Sequence, residues 1–185
     1  VTSIPLLGSV GYRKDIDSNL VVSGNLKSVI AESYRSIRTN LNFMTEGKDK
    51  VKILVTSSIS GEGKTFTSIN LAAIYAASGK KTILLGADLR KPKIFQDFGL
   101  NNTVGLSTYL INKGSLAEVV QQTKVENLDL ISSGPVPPNP AELIESDRMD
   151  ALMAELDKQY EVIIIDSPPL GLVTDALLLK KYADA

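Results

Sequence analysis

The stretch of this chain best suited to hold a polyanion is Gly61-Glu62-Gly63-Lys64-Thr65. Two glycines let backbone N–H groups turn inward onto phosphate oxygens, and a helix starting here adds the positive end of its dipole. Lys64 would reach the terminal phosphates of a nucleoside triphosphate, and the Thr65 hydroxyl would hold Mg²⁺. The candidate nucleotide-binding residues are therefore Ser60, Gly61, Glu62, Gly63, Lys64, Thr65 and Phe66. The pattern G-x-x-x-x-G-K-[ST] is met except at its first glycine, where Ser58 stands. Two carboxylates, Asp88 and Asp166, each follow an apolar run and complete the set. Thr65, Asp88 and Asp166 are the candidate metal ligands, and Lys64, Asp88 and Asp166 the candidate catalytic residues. Mg²⁺ usually keeps several waters, so one hydroxyl and two carboxylates suffice, some of them acting through water.

Such residues work only if strands and helices bring them together. Val51–Thr56, Lys81–Leu85, Leu128–Ile131 and Glu161–Ile165 read as buried strands, apolar and rich in β-branched side chains. The first runs into the glycine turn and then into an Ala-rich helix over Ser68–Ala77. A Gly-Lys-Thr turn capping an ordinary helix would carry the same residues, but a strand before and a helix after is the context a phosphate loop requires. Asp88 and Asp166 fall at carboxyl ends of strands, the ligand side of an open α/β sheet. The expected fold is α/β, a doubly wound, mainly parallel sheet with helices on both faces. Further helices are expected over Leu26–Thr45, capped by Ser28, around Leu106–Ile111 and Leu116–Gln122, and over Ala141–Glu145, Asp147–Gln159 and Thr174–Tyr182. Val1–Ser23 lacks any sustained period and reads as an arm outside the core, with residues 24–185 forming the domain. The alternation of strand and helix predicts another strand after Tyr182, as though the chain were shortened there.

The composition removes several chemistries. The chain has 185 residues, 20 Lys plus Arg against 21 Asp plus Glu, and neither cysteine nor histidine. Near-neutral charge gives no global field for nucleic acid. Without histidine, acid–base work falls to carboxylates, lysine, tyrosine or water. No apolar run is long enough to span a bilayer. On the first long helix, Glu32, Arg35 and Arg38 lie three residues apart and share a face displaced from the stripe Val29, Ile30, Tyr34, Ile37, Leu41 and Met44. That face is either a solvated surface with internal ion pairs or a contact surface.

Taken together, these motifs resemble the bacterial protein-tyrosine kinases of capsule and exopolysaccharide systems, over nearly the whole chain. SSISGEGKT at Ser57–Thr65 matches that family's Walker A, ILLGADLRKP at Ile83–Pro92 its Walker A′, and VIIIDSPP at Val162–Pro169 its Walker B. SGPVPPNPAEL at Ser133–Leu143 is also typical, and Glu32-x-x-Arg35-x-x-Arg38 resembles the family's ring-forming helix. The resemblance implies a P-loop NTPase fold, ATP and Mg²⁺ as cofactors, and transfer of phosphate to protein tyrosine. It also implies a ring-like homo-oligomer built through Glu32, Arg35 and Arg38 and phosphorylating in trans. The arm over residues 1–23 would lead to a membrane-embedded activator in the same or a partner chain, at the cytoplasmic face of the bacterial inner membrane. Nucleic acid is not among the implied partners.

Two departures stand out. The family's Walker A′ usually reads D-x-D-x-R, and Gly86 replaces the first Asp, the one credited with helping to deprotonate the tyrosine. No tyrosine cluster is present either; the six tyrosines are scattered. Because it restores a carboxylate beside the attacking hydroxyl, Gly86→Asp should give equal or faster transfer. Two other readings are a MinD/ParA-like ATPase, whose extra loop lysine would fall where Ile59 stands, and a catalytically weakened, ATP-dependent assembly module.

Overall fold

The computed structural model describes residues 4–11, 18–171 and 173–185. The apolar runs form a five-stranded sheet in the order β1-β5-β2-β4-β3. Its strands are β1 (Val51–Val55), β2 (Thr82–Gly86), β3 (Val120–Gln122), β4 (Leu128–Ile131) and β5 (Val162–Asp166). The first four in that spatial order run parallel, and β3 closes one edge antiparallel to β4. The run Val162–Ile165 suits β5 to a central place, because a strand covered on both faces needs apolar side chains on both. β5 lies between β1 and β2, so Asp166 is in register with Val55 on one side and Gly86 on the other.

Alternate side chains feed two cores. Val51, Ile53, Leu84, Leu128, Leu130, Val162 and Ile164 face one layer, while Ile83, Leu85, Ile131, Ile163 and Ile165 face the other. The helices are α1 (Val29–Met44), α2 (Lys64–Ala77), α3 (Ile94–Asp97), α4 (Leu106–Leu110), α5 (Leu116–Val119), α6 (Pro140–Ile144), α7 (Asp147–Gln159) and α8 (Asp175–Leu179). α1, α2 and α3 cover the first core, and α4 to α8 the second. This is the doubly wound α/β arrangement the sequence predicts.

Ser28 caps α1 by accepting the Ala31 N–H at 3.1 Å. Its stripe is narrower than expected: Ile30, Tyr34 and Leu41 are buried, but Val29 and Met44 are exposed. The stretch expected as helix to Gln122 divides, with α5 ending at Val119 and β3 following. Val120 pairs with Ile131 and Gln122 with Asp129, so the backbone's hydrogen bonds go to a neighbouring strand rather than along a helix.

The N-terminal stretch also differs from an arm outside the core. Val22 is fully buried in the first core. Asn70, buried on α2, accepts the N–H groups of Val21 and Val22 and donates to the Asn19 carbonyl, which fastens residues 19–22 to the domain. At the other end the expected further strand after Tyr182 does not form, although residues 184–185 lie along the sheet edge. Leu54 N–H donates to the Ala185 carbonyl at 2.9 Å, alongside the outer edge of β1. Among the described residues no helix is long and apolar enough to cross a membrane.

Candidate active site

The turn after β1 takes the shape its glycines allow. Gly61 (φ 92°) and Gly63 (φ 87°) both lie in the left-handed region, and α2 starts at Lys64, earlier than the apolar pattern shows. The loop N–H groups and the amino end of a 14-residue helix therefore face one cavity. That cavity, about 330 Å³, is lined among others by Ser60, Gly61, Gly63, Lys64, Thr65, Phe66, Asp88 and Asp166.

Glu62 is the exception among the expected loop residues. Its carboxylate turns back and accepts the N–H groups of Ser58 at 2.8 Å and Ile59 at 3.1 Å. Ser58 stands where the pattern has a glycine, and this bracket holds the beginning of the loop in place. The other side of the same backbone is held by the segment after β5. Leu170 N–H donates to the Ser57 carbonyl and Gly171 N–H to the Ser58 carbonyl. A Cβ at Gly171 would come within 2.5 Å of that Ser58 oxygen, so only glycine fits there.

The polar residues converge as predicted. Thr65 Oγ1 donates to Asp166 Oδ2 at 2.9 Å, and Ser68 Oγ donates to Asp166 Oδ1 at 2.9 Å. Lys64 Nζ lies 3.5 Å from Asp88 Oδ2 and 3.3 Å from Thr65 Oγ1. Asp166 is nearly enclosed, and burial pushes its carboxyl up to about 6, against the pull of Lys64 and the Ser68 and Thr65 hydroxyls. Ser68, read in the sequence only as the start of a helix, thus holds one oxygen of the central carboxylate. Its spacing gives the signal: four residues after Lys64, it returns to the same helix face one turn on.

The residues fit Mg²⁺ bound with a nucleotide. A buried carboxylate whose two protein donors are neutral hydroxyls, facing an open cavity beside a lysine, is a place where a cation relieves the desolvation of the charge. No cluster of three or more acidic side chains able to hold a metal ion occurs among the described residues. A metal here would share its coordination between Thr65, the carboxylates, phosphate oxygens and water.

Asp88 sits two residues past β2, where its Oδ1 accepts the N–H groups of Arg90 and Lys91. Gly86, at the end of β2, is closely packed. A Cβ there would meet Ile94 Cγ2 and Ser133 Oγ at 3.1 Å and the Ser133 backbone nitrogen at 3.2 Å. An aspartate at 86 would therefore need Ile94 and Ser133 to give by a few tenths of an ångström.

The α1 charges behave differently from one another. Arg35 pairs with Glu32 at 2.6 Å and donates to the Leu26 carbonyl. Arg38 instead donates at 3.1 Å to the Ile74 carbonyl, one of the orphan acceptors in the last turn of α2. Tyr34, Tyr75, Tyr109 and Tyr160 are buried. Tyr182 is partly exposed and donates to Asp150, and Tyr12 lies outside the described residues.

A sequence family described as "AAA domain" matches residues 50–183. The tyrosine-protein kinase YwqD of Bacillus subtilis is 43% identical over 166 residues, which span 90% of this chain and 70% of that protein. The chain belongs to the bacterial tyrosine-protein kinase family. The same family includes the tyrosine-protein kinase wzc of Salmonella typhi, 38% identical over 93% of this chain but only 24% of that protein. The crystal structure of the chimerical protein CapA2B2 superposes with a TM-score of 0.91 at 40% identity, covering 97% of this chain and 77% of that one. The Pyrococcus furiosus cell division ATPase MinD, 21% identical with a TM-score of 0.62, shares the P-loop NTPase fold alone.

Proposed function

We propose that the chain transfers the γ-phosphoryl group of ATP, bound with Mg²⁺, to a tyrosine hydroxyl of a protein, in a system that makes or exports capsule or exopolysaccharide. The observation that carries this reading is the meeting of Lys64, Thr65, Asp88 and Asp166 in one cavity at the carboxyl ends of β1, β2 and β5. The names of its relatives, tyrosine-protein kinases among them, support it.

The loop N–H groups and Lys64 would neutralise the β- and γ-phosphates, while Thr65, Asp88 and Asp166 would hold the metal side of the triphosphate, directly or through water. Mg²⁺, when bound, supplies charge neutralisation on the transferring group. Phosphoryl transfer is largely dissociative, so positioning and charge do most of the work and little proton transfer is needed early. The tyrosine proton, with an ordinary pKa of about 10, still needs an acceptor. With glycine at 86 and histidine absent, Asp88 is the carboxylate left for that role: its Oδ1 is held by backbone, and its Oδ2 faces the cavity beside Lys64. A base helps such a reaction without dominating it, so the loss at 86 slows transfer rather than ending it.

The acceptor tyrosine would come from another protein or another copy of the chain, because four of the five described tyrosines are buried in its own core. A ring-like assembly through the Glu32, Arg35 and Arg38 face would bring such a tyrosine to a neighbour's ATP. A membrane-embedded activator, in the same or a partner chain, and a place at the cytoplasmic face of the inner membrane complete the proposal; the wzc relative, of which this chain spans 24%, has length to spare for such a part. Against a MinD-like switch stands Ile59, at the position of the extra loop lysine.

Incubation with γ-labelled ATP and Mg²⁺ tests the reading. Label recovered on protein tyrosine supports a kinase. Free phosphate alone would point to a switch ATPase, and neither to an assembly module that binds ATP without turning it over.

A further inference from the structure

The loop carrying Asp88 is tied to the segment after β5 by a side-chain pair with no role in the scheme above. Arg90 Nε donates to Asp175 Oδ2 at 2.8 Å, and Nη2 donates to Asp175 Oδ1 at 3.0 Å. The fork is bidentate, the geometry in which a guanidinium is most directional. The Asp175 side chain is 0% exposed, whereas that of Arg90 is 40% exposed. A solvent-facing arginine is therefore anchored on a fully enclosed carboxylate.

The same residue sets Asp88 from its backbone. Arg90 N–H and Lys91 N–H both donate to Asp88 Oδ1, at 3.2 and 3.0 Å, which fixes that carboxylate's plane and leaves Oδ2 turned toward Lys64. If the peptide at Arg90 shifts, Asp88 turns with it. From Asp175 through the Arg90 guanidinium and backbone to Asp88 there is one short chain of hydrogen bonds. It joins the segments that follow β2 and β5, the neighbouring strands that deliver Asp88 and Asp166.

We infer that Arg90 and Asp175 are positioning residues that hold the Asp88 carboxylate in the orientation metal-assisted nucleotide binding requires. The inference rests on the Mg·ATP reading of the cavity. An ion pair that merely stiffens the fold would leave the metal dependence unchanged when removed, whereas a pair that orients a ligand would alter it while sparing contacts made by the loop alone. Outer partners of metal ligands commonly contribute about ten- to a hundredfold in metal affinity.

The test is a fluorescence titration of ribose-labelled ADP into the whole chain, in EDTA and across a Mg²⁺ series. Arg90→Gln and Asp175→Asn should each raise the Mg²⁺ concentration for half-maximal enhancement by about tenfold, with metal-free affinity held within about twofold. The double variant should be no worse than the poorer single one, because both act through one chain of bonds. Arg90→Lys, which keeps the charge but loses the fork, should fall between Arg90→Gln and the parent. Unchanged Mg²⁺ dependence in folded variants, or effects that multiply, would overturn the inference. So would a fall in metal-free affinity alone, which would place Arg90 directly on the nucleotide. Should Asp175→Asn fail to fold, the partly exposed Arg90 variants decide the matter by themselves. A parent that binds no nucleotide would overturn the Mg·ATP reading as well. A parent that binds it normally, with variants that match, would overturn the positioning role alone.

Discussion

The cavity and the outer charges of α1 carry the same kinds of side chain and use them in opposite ways. In the cavity, Asp166 and Lys64 come from distant parts of the sequence, are largely enclosed, and face a space that no described residue fills. On α1, Glu32 and Arg35 satisfy each other within a single turn, and Arg38 satisfies a carbonyl of α2. Polar groups that the fold assembles and then leaves poised point to a ligand. Charges already satisfied within their own chain are a solvated surface until another copy is shown to compete for them.

The sharpest way to break this contrast is Lys64→Met. It removes the charge on the phosphates but no core packing, so phosphoryl transfer should fall by at least about a hundredfold while the variant keeps its fold. Transfer at the parent rate would dissolve the distinction. Gly86→Asp probes the same pocket from its wall. Ile94 and the Ser133 backbone must give way, so destabilisation of about 1–3 kcal/mol is expected, as for other overpacked sites. Thermal unfolding with a transfer assay checks it, and a stable, faster variant would show that the wall yields.

A third test exploits burial. The Asp166 carboxyl titrates near 6 in the fold against an ordinary value of 3.8. A raised acid favours the folded state while protonated, so this contribution is present below the ordinary value and lost as pH rises through about 6. In EDTA, Asp166→Asn cannot lose a proton. Its thermal midpoint should therefore pull ahead of the parent's between about pH 4 and pH 6.5, and a pH-independent gap would contradict the burial argument. The smallest effects belong to α1. Arg38→Ala gives up a hydrogen bond to a helix-end carbonyl and should cost about 1 kcal/mol, whereas Arg35→Ala loses an exposed pair and should cost under about 0.5 kcal/mol. If a ring forms through this face, the double variant should also lower the mass seen by light scattering at matched concentration.

What the sequence makes legible follows the same division. Val162–Ile165 and the glycine turn before α2 announce their structure locally, because a fully buried strand and a phosphate loop each demand particular residues in an unbroken run. With those runs placed, Lys64, Thr65, Asp88 and Asp166 follow, since a parallel sheet brings its strand ends together. β3 is not announced. Val120–Gln122 is three residues long and becomes a strand only by pairing with β4, a decision made by a partner distant in sequence. Val22 is hidden for the same reason, its place in the core depending on Asn70 catching its backbone. The grip of Arg90 on Asp175, 85 residues on, has no local signature either.

The stitch between Ser57–Ser58 and Leu170–Gly171 makes the phosphate loop a poor candidate for moving by itself. Two hydrogen bonds and a contact that admits only glycine join the floor of the loop to the segment beyond β5. Any rearrangement as phosphate leaves must either break that stitch or drag the segment along. Leu170 is 42% exposed at its outer end, so a displacement beginning on the loop is delivered to the protein's surface as a moving apolar side chain.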